Sequence, residues 1–188
     1  MNGENMFDFF SKYAYWKVLR YFALNSSSKV YVNELSRKLI ISAGMCSIIL
    51  RELAASKILV KKKRGTAHFY CLENNYLTNE LKRFIGLFHI SRSGLVERIS
   101  SGVSSPISIA LYGSYAAGDF TEQSDIDILL ITQEKTQENF VEFENTLDIE
   151  INMEKFTVGQ WLKMKKEKHP FYEMVRRDHV LLYGGELP

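Results

Sequence analysis

The sequence predicts an α+β protein in two parts: a helical N-terminal domain closed by a basic hairpin, and a C-terminal domain with a small β-sheet flanked by helices. Three observations lead there. Apolar residues recur at helical spacing through the first third, then give way to two short strand-like runs around Lys63-Arg64-Gly65-Thr66. Charge divides along the chain. From Met1 to Glu80, 12 Lys and Arg against 6 Asp and Glu give +6, and from Leu81 onward 12 against 16 give −4, so the first part is inclined towards polyanions. The segment Ile107 to Thr132, ISIALYGSYAAGDFTEQSDIDILLIT, joins an apolar strand, a Gly-Ser turn and an alternating Asp-Ile-Asp strand.

Composition narrows the class. At 188 residues, with 46% hydrophobic and 24% charged residues and 3 prolines, the chain has the make-up of an ordinary globular protein of one or two domains. Cys46 and Cys71 lie far apart, in apolar contexts and without metal-ligand spacing, which predicts buried reduced thiols rather than zinc. The start, MNGENMFDFF, has no basic region followed by a long apolar run, and no apolar stretch approaches the ~20 residues of a membrane span. The expected location is cytoplasmic.

The expected boundaries are 1–74 for the first domain, 75–106 for a helical connector and linker, and 107–188 for the second domain. The first helix covers Asp8 to Leu24, with Phe9, Phe10, Tyr13, Trp16, Leu19, Phe22 and Ala23 on its apolar side. Val32 to Ile40 reads as a second helix capped by Asn33, with Leu35 and Leu39 inward. Ser42 caps a third, running to about Ser56 with Cys46, Leu50 and Leu53 buried. Strands Ile58–Lys62 and Ala67–Leu72 form the hairpin. This order, over Val32 to Glu73, resembles the winged helix-turn-helix domains of bacterial and archaeal transcriptional regulators. The resemblance implies double-stranded DNA as a partner, with the third helix in the major groove. That helix offers Gly44, Met45, Ser47, Ile48 and Arg51, of which Ser47 and Arg51 are the polar readers. Lys61, Lys62, Lys63, Arg64 and His68 are available for phosphates. A winged helix used for dimerisation or protein contact is the alternative, and exposed Met45 and Ile48 suit it.

The connector, Asn75 to about Ser101, reads as one long helix or two joined near Ser91-Arg92-Ser93-Gly94, able to pair with a second copy in a homodimer. Ser100 to Pro106 reads as the linker. Beyond it come strand Ile107–Tyr112, a short helix from Ser114 and strand Asp125–Ile131. A helix over about Lys135–Glu144 and a third strand over Leu147–Phe156 follow. Helices over Val158–Lys168 and from Pro170 to Arg177, then a last strand over Val180–Tyr183, complete the chain. Lys163, Lys165, Lys166 and Lys168 read as a solvated helix face, the alternative being a contact to an anionic ligand, and His89, His169 and His179 have no motif around them.

A strand has period two, so Asp125 and Asp127 share a face while Ile126 and Ile128 point the other way. Two carboxylates side by side repel, and a divalent cation removes that cost. Oxygen-only ligation suits magnesium, which is held by one or two carboxylates plus substrate phosphates. Gly113 lets the backbone approach a ligand, and N–H groups at Ser114 would face an anion.

Gly113-Ser114 followed by Ser124-Asp125-Ile126-Asp127 resembles the signature of the DNA polymerase β-like nucleotidyltransferase superfamily, closest to its minimal domains, over about Ile107 to Pro188. The resemblance implies a small mixed sheet and Mg2+-dependent transfer of a nucleoside monophosphate from a nucleoside triphosphate, such as ATP, to an acceptor hydroxyl. It implies that Gly113 and Ser114 bind the nucleotide, and that Asp125 and Asp127 are metal ligands and catalytic. It also implies a third carboxylate on the third strand, where Asp148 and Glu150 both qualify and Glu150 is preferred as deeper in the strand. One departure stands out: relatives often carry a basic residue before the second glycine, and here that residue is Ala117. The alternatives are a DNA-binding regulator whose transferase domain senses nucleotide without turnover, and an antitoxin-like partner-binding module.

Overall fold

The computed structural model describes residues 13–103, 105–133 and 149–188. Those residues divide into two compact units, with the boundary between Ile85 and Gly86. No helix among them is long and apolar enough to cross a membrane.

The first unit contains α1 (Ala14–Leu24), α2 (Val32–Leu39), α3 (Ala43–Ala55), β1 (Leu59–Arg64) and β2 (Ala67–Leu72). Val18, Tyr21 and Phe22 of α1, Leu35 of α2, and Cys46, Ile49 and Leu50 of α3 converge with Leu59 and Tyr70 in one core. The stripe on α3 follows from positions three and four apart sharing a helix face. Ser42 starts that helix as expected, its Oγ accepting the Met45 N–H at 3.2 Å. The hairpin pairs Leu59 with Leu72 through Arg64 with Ala67. Tyr70 also bridges Val30, with backbone bonds of 3.0 and 2.8 Å, which fastens β2 to the stretch before α2.

Several expectations for this unit need correction. Asp8 to Lys12 lie outside the described residues, and the inward residues of α1 are Val18 and Tyr21 as well as Phe22 and Ala23, while Tyr13 is half exposed. Asn33 does not cap α2. Its carbonyl already accepts from Ser36 Oγ and Arg37 Nε, both at 3.1 Å, so it belongs to the first turn, and Tyr31 is the capping residue. Lys63 and Arg64 are strand residues. Gly65, at φ +62°, and Thr66 alone make the turn, since a two-residue hairpin loop needs a left-handed first position. Ser47 is half-buried rather than exposed, because it flanks the Cys46–Leu50 edge of the buried stripe. Cys46 is fully buried but Cys71 only partly, and both are free thiols.

The boundary falls inside α4 (Tyr76–Ser93), which is followed by α5 (Leu95–Gly102). The two-helix version of the connector is the one observed: Gly94, at φ +76°, separates them. Asn75 opens α4, its Oδ1 accepting the Thr78 N–H at 3.0 Å. The linker is shorter than expected. α5 runs to Gly102, and Val103 is only 4% exposed, so burial of its side chain fastens what would otherwise be a tether.

The second unit is built on a four-stranded mixed sheet of order β5-β4-β3-β6. Its strands are β3 (Pro106–Tyr112), β4 (Ile126–Thr132), β5 (Ile151–Thr157) and β6 (Val180–Gly184). β3 is antiparallel to β4 and β6, and β4 is parallel to β5. A short helix, α6 (Gly113–Ala117), follows β3, and α7 (Val158–Lys166) and α8 (Pro170–Arg177) follow β5. Ala110, Leu129 and Ile131 on one sheet face pack against Trp161 of α7 and Tyr172 and Val175 of α8. Ile109, Leu111, Ile128 and Leu130 alternate with them and are fully buried, so both central strands are covered on both sides. The third strand begins at Ile151, not Leu147, and the helix expected over Lys135–Glu144 lies outside the described residues, as does Asp148. His169, without a sequence motif, acts as a helix cap. Its Nδ1 accepts the Phe171 N–H at 3.2 Å, ahead of Pro170 at the start of α8. Lys163, Lys165, Lys166 and Lys168 are exposed, with Lys163 3.8 Å from Glu167.

Candidate functional site

The end of β3, the α6 turn and the start of β4 meet because β3 and β4 are antiparallel neighbours. Tyr112, the last residue of β3, stands opposite Asp127. The next residue, Gly113, has φ +67°, in the region that favours glycine. Space demands glycine as well. A Cβ built there would overlap the Asp127 carboxylate and lie 3.1 Å from its Cγ. The Gly-Ser turn and the Asp pair are therefore in contact, as parts of one site. Ser114 is half-buried, and its carbonyl accepts the Gly118 and Asp119 N–H groups at 2.9 and 3.1 Å. Gly118, at φ +78°, ends α6, and Ala117 beside it is half-buried and uncharged. The loop returning to β4 is tied locally, with the Thr121 N–H donating to Ser124 Oγ at 2.9 Å.

Asp125, which stands just before β4 rather than opening it as expected, and Asp127, the second residue of β4, are both half-buried and near enough for their charges to act on one another. Burial pushes the Asp127 carboxyl above its usual range, and the Asp125 charge adds to that, while a hydrogen bond from Asn152 opposes them. Asn152 Nδ2 also donates to Asp125 Oδ2 at 3.1 Å, so one amide serves both carboxylates. Parallel pairing explains its place: Asp127 is in register with Asn152, and Ile126 with Ile151. Two tyrosines close the apolar side. Burial pushes Tyr112 up to about 12, with help from the Asp127 and Glu154 charges. Burial likewise pushes Tyr115 up to about 12, helped by Asp125. Tyr115 stacks on Phe120 at 4.1 Å, and Gly86 lies against this pair, where a Cβ would sit 3.0 Å from Phe120. Phe171 of α8 meets the Tyr112 ring edge-on at 5.4 Å, so the helical layer reaches the border of the acidic end.

Glu150 is exposed and precedes β5, so the idea that it sits deep in the strand is corrected. Its carbonyl accepts the Ile126 N–H at 2.9 Å, which sets its backbone beside Asp125. Among the described residues no group of three or more His, Cys, Asp or Glu converges to hold a metal. The donor chemistry still fits a hard divalent cation. Two half-buried carboxylates lie near one another, and burial makes the charge on Asp127 unfavourable. The residue that sequence reasoning left unassigned is Asn152. Only the β4–β5 register sets it beside Asp127.

The basic candidates are in the other unit. Lys61, Lys62, Lys63, Arg64 and His68 are all exposed along the hairpin. On α3, Arg51 is exposed with its Nε donating to the Ser47 carbonyl at 3.3 Å, and Met45 and Ile48 are 44% and 42% exposed.

Residues 93–182 match the family model described as "Nucleotidyltransferase domain". A solved structure from Sulfolobus solfataricus, provisionally described as a nucleotidyltransferase, is 18% identical, with 59% of this chain and 91% of that chain covered and a TM-score of 0.35. No curated protein matches the chain.

Proposed function

We propose that the second unit transfers a nucleoside monophosphate from a nucleoside triphosphate to an acceptor hydroxyl, with Mg2+, and that the first unit is a winged helix-turn-helix that brings it to duplex DNA. The observation that carries the first half is the contact of Gly113 with Asp127, next to Asp125, inside the region that matches the nucleotidyltransferase domain. Mg2+ held by Asp125 and Asp127 would neutralise charge on the reacting phosphate. Gly113 N–H and the Ser114 hydroxyl and N–H hold the outer phosphates, where glycine permits close approach. The acceptor oxygen bonds to the α-phosphorus as the bond to the pyrophosphate oxygen breaks. Glu150, the exposed residue just before β5 whose carbonyl accepts the Ile126 N–H, takes the acceptor's proton. Asn152 orients Asp125 through its 3.1 Å hydrogen bond.

The test is pyrophosphate release from purified protein offered each triphosphate with protein, nucleic-acid and small-molecule acceptors. Activity is expected with at least one pair, and Asp125→Ala combined with Asp127→Ala should abolish it. Bound nucleotide without any pyrophosphate would replace this reading with the second: a DNA-binding regulator that senses nucleotide. One observation favours that alternative, the neutral Asn152 in register with Asp127.

Support for the DNA half is the row of exposed cations on the hairpin after three helices. Contacts there would be to phosphates, with Arg51 reaching base edges and half-buried Ser47 contributing less. A duplex DNA shift assay checks it: affinity should fall steeply with salt and vary little with sequence.

A further inference from the structure

We propose that Asn152 is the third member of the acidic site, and that its neutrality makes divalent-cation binding depend on the nucleotide. This rests on the reading that Asp125 and Asp127 hold a cation. Three observations carry it. In the parallel pairing of β4 and β5, Asn152 lies directly alongside Asp127. Its amide nitrogen donates to Asp125 Oδ2 at 3.1 Å. Glu150, the nearest carboxylate preceding it in the chain, stands before β5 and is exposed.

The side chain beside both aspartates is thus a neutral amide. Asn and Asp have the same shape, but Asn brings two N–H donors and one carbonyl oxygen, whereas Asp brings only charged acceptors. With no cation present, the donor satisfies Asp125 and softens its repulsion with Asp127. When a cation arrives, the amide can turn its carbonyl oxygen towards it, yet adds no charge. The protein then presents two negative charges rather than three. Affinity of oxygen sites for hard cations follows ligand charge and rigidity. The remaining charge must come from the ligand, and a triphosphate supplies it. Cation and nucleotide therefore bind together, each strengthening the other by the same factor.

The test uses the full chain and Mn2+, a spectroscopic probe of magnesium sites, titrated by electron paramagnetic resonance with and without a non-hydrolysable triphosphate. Wild type should bind free Mn2+ weakly and gain affinity about tenfold or more when the analogue is present. Asn152→Asp should bind free Mn2+ about tenfold more tightly than wild type and lose most of that nucleotide dependence. The same variant should melt lower than wild type in chelator and recover with Mn2+, because a third charge is uncompensated until the cation arrives. Asn152→Ser, neutral but too short to reach Asp125, should gain no affinity for free Mn2+ and should keep the nucleotide dependence, which separates the effect of charge from loss of the amide. Unchanged Mn2+ affinity in Asn152→Asp, with binding still lost in Asp125→Ala, would overturn the role of Asn152 and leave the aspartate site standing. Mn2+ binding that survives Asp125→Ala with Asp127→Ala would overturn the aspartate site itself.

Discussion

Asp127 meets two opposing demands. The proposed role as a cation ligand needs a charge, and the carboxyl is held where charge is costly: half-buried, against Gly113 and near Asp125. Its folded-state carboxyl titrates above the unfolded value of 3.8. A carboxyl raised in this way contributes nothing against stability while both states are protonated, below the unfolded value. Its cost builds as pH rises from the unfolded value to the folded one and is fully present above the folded value, neutral pH included. Asp127→Asn should therefore stabilise the cation-free protein at pH 7, with the gain vanishing below about pH 4. Urea denaturation across that range in chelator measures it, and the same variant should lose cation binding. Gly113→Ala should do the reverse. A left-handed φ costs a side-chain-bearing residue about 1–2 kcal/mol, and the new methyl must also displace Asp127. Lower urea stability and lost nucleotide binding are the expected readouts. These residues were legible in the sequence because glycine before serine, and aspartates two apart, have few other uses together. Asn152 was not, because its meaning lies in a register between strands, and local pattern says nothing of register in a parallel pair.

At the scale of elements, the helices and strands followed from apolar spacing and punctuation. Cys46, Leu50 and Leu53 on α3, the Ser42 cap, Gly94 between α4 and α5, and Pro170 opening α8 were all readable. Failures came where burial overrode a local signal. The run Ser100–Pro106 has linker composition, yet Val103 is buried and α5 extends into it. Asn33 is a good cap by type, but Tyr31 already fills the place. Two predictions belong here. Ser42→Ala removes the acceptor for Met45 N–H and should cost about 1 kcal/mol in thermal or urea unfolding. Replacing Lys61, Lys62, Lys63 and Arg64 by alanine together should leave folding intact, since all four are exposed. It should also flatten the logarithmic salt dependence of duplex binding by about three to four. An unchanged slope would remove the hairpin from the DNA interface.

For the whole molecule, the charge split anticipated two units, but not a boundary within a helix, between Ile85 and Gly86 of α4. No break in composition marks it. Gly86 is set by what it touches in the second unit, the stacked rings of Tyr115 and Phe120. The sheet order has one further consequence, in time rather than space. β3 is flanked on one side by β4, close in sequence, and on the other by β6, whose Val180 pairs with Leu111. Ser108 Oγ donates to the Gly185 carbonyl at 2.7 Å, and Trp161 Nε1 to that of Pro188 at 3.2 Å. A chain emerging from a ribosome holds every residue of its first unit long before these partners exist, and strand pairings that distant are the slow ones. Protease pulses on stalled nascent chains should find residues up to Ile85 protected at lengths where Ile107 to Thr132 are still cut. The nascent chain would thus expose a folded basic hairpin before it has a finished acidic site.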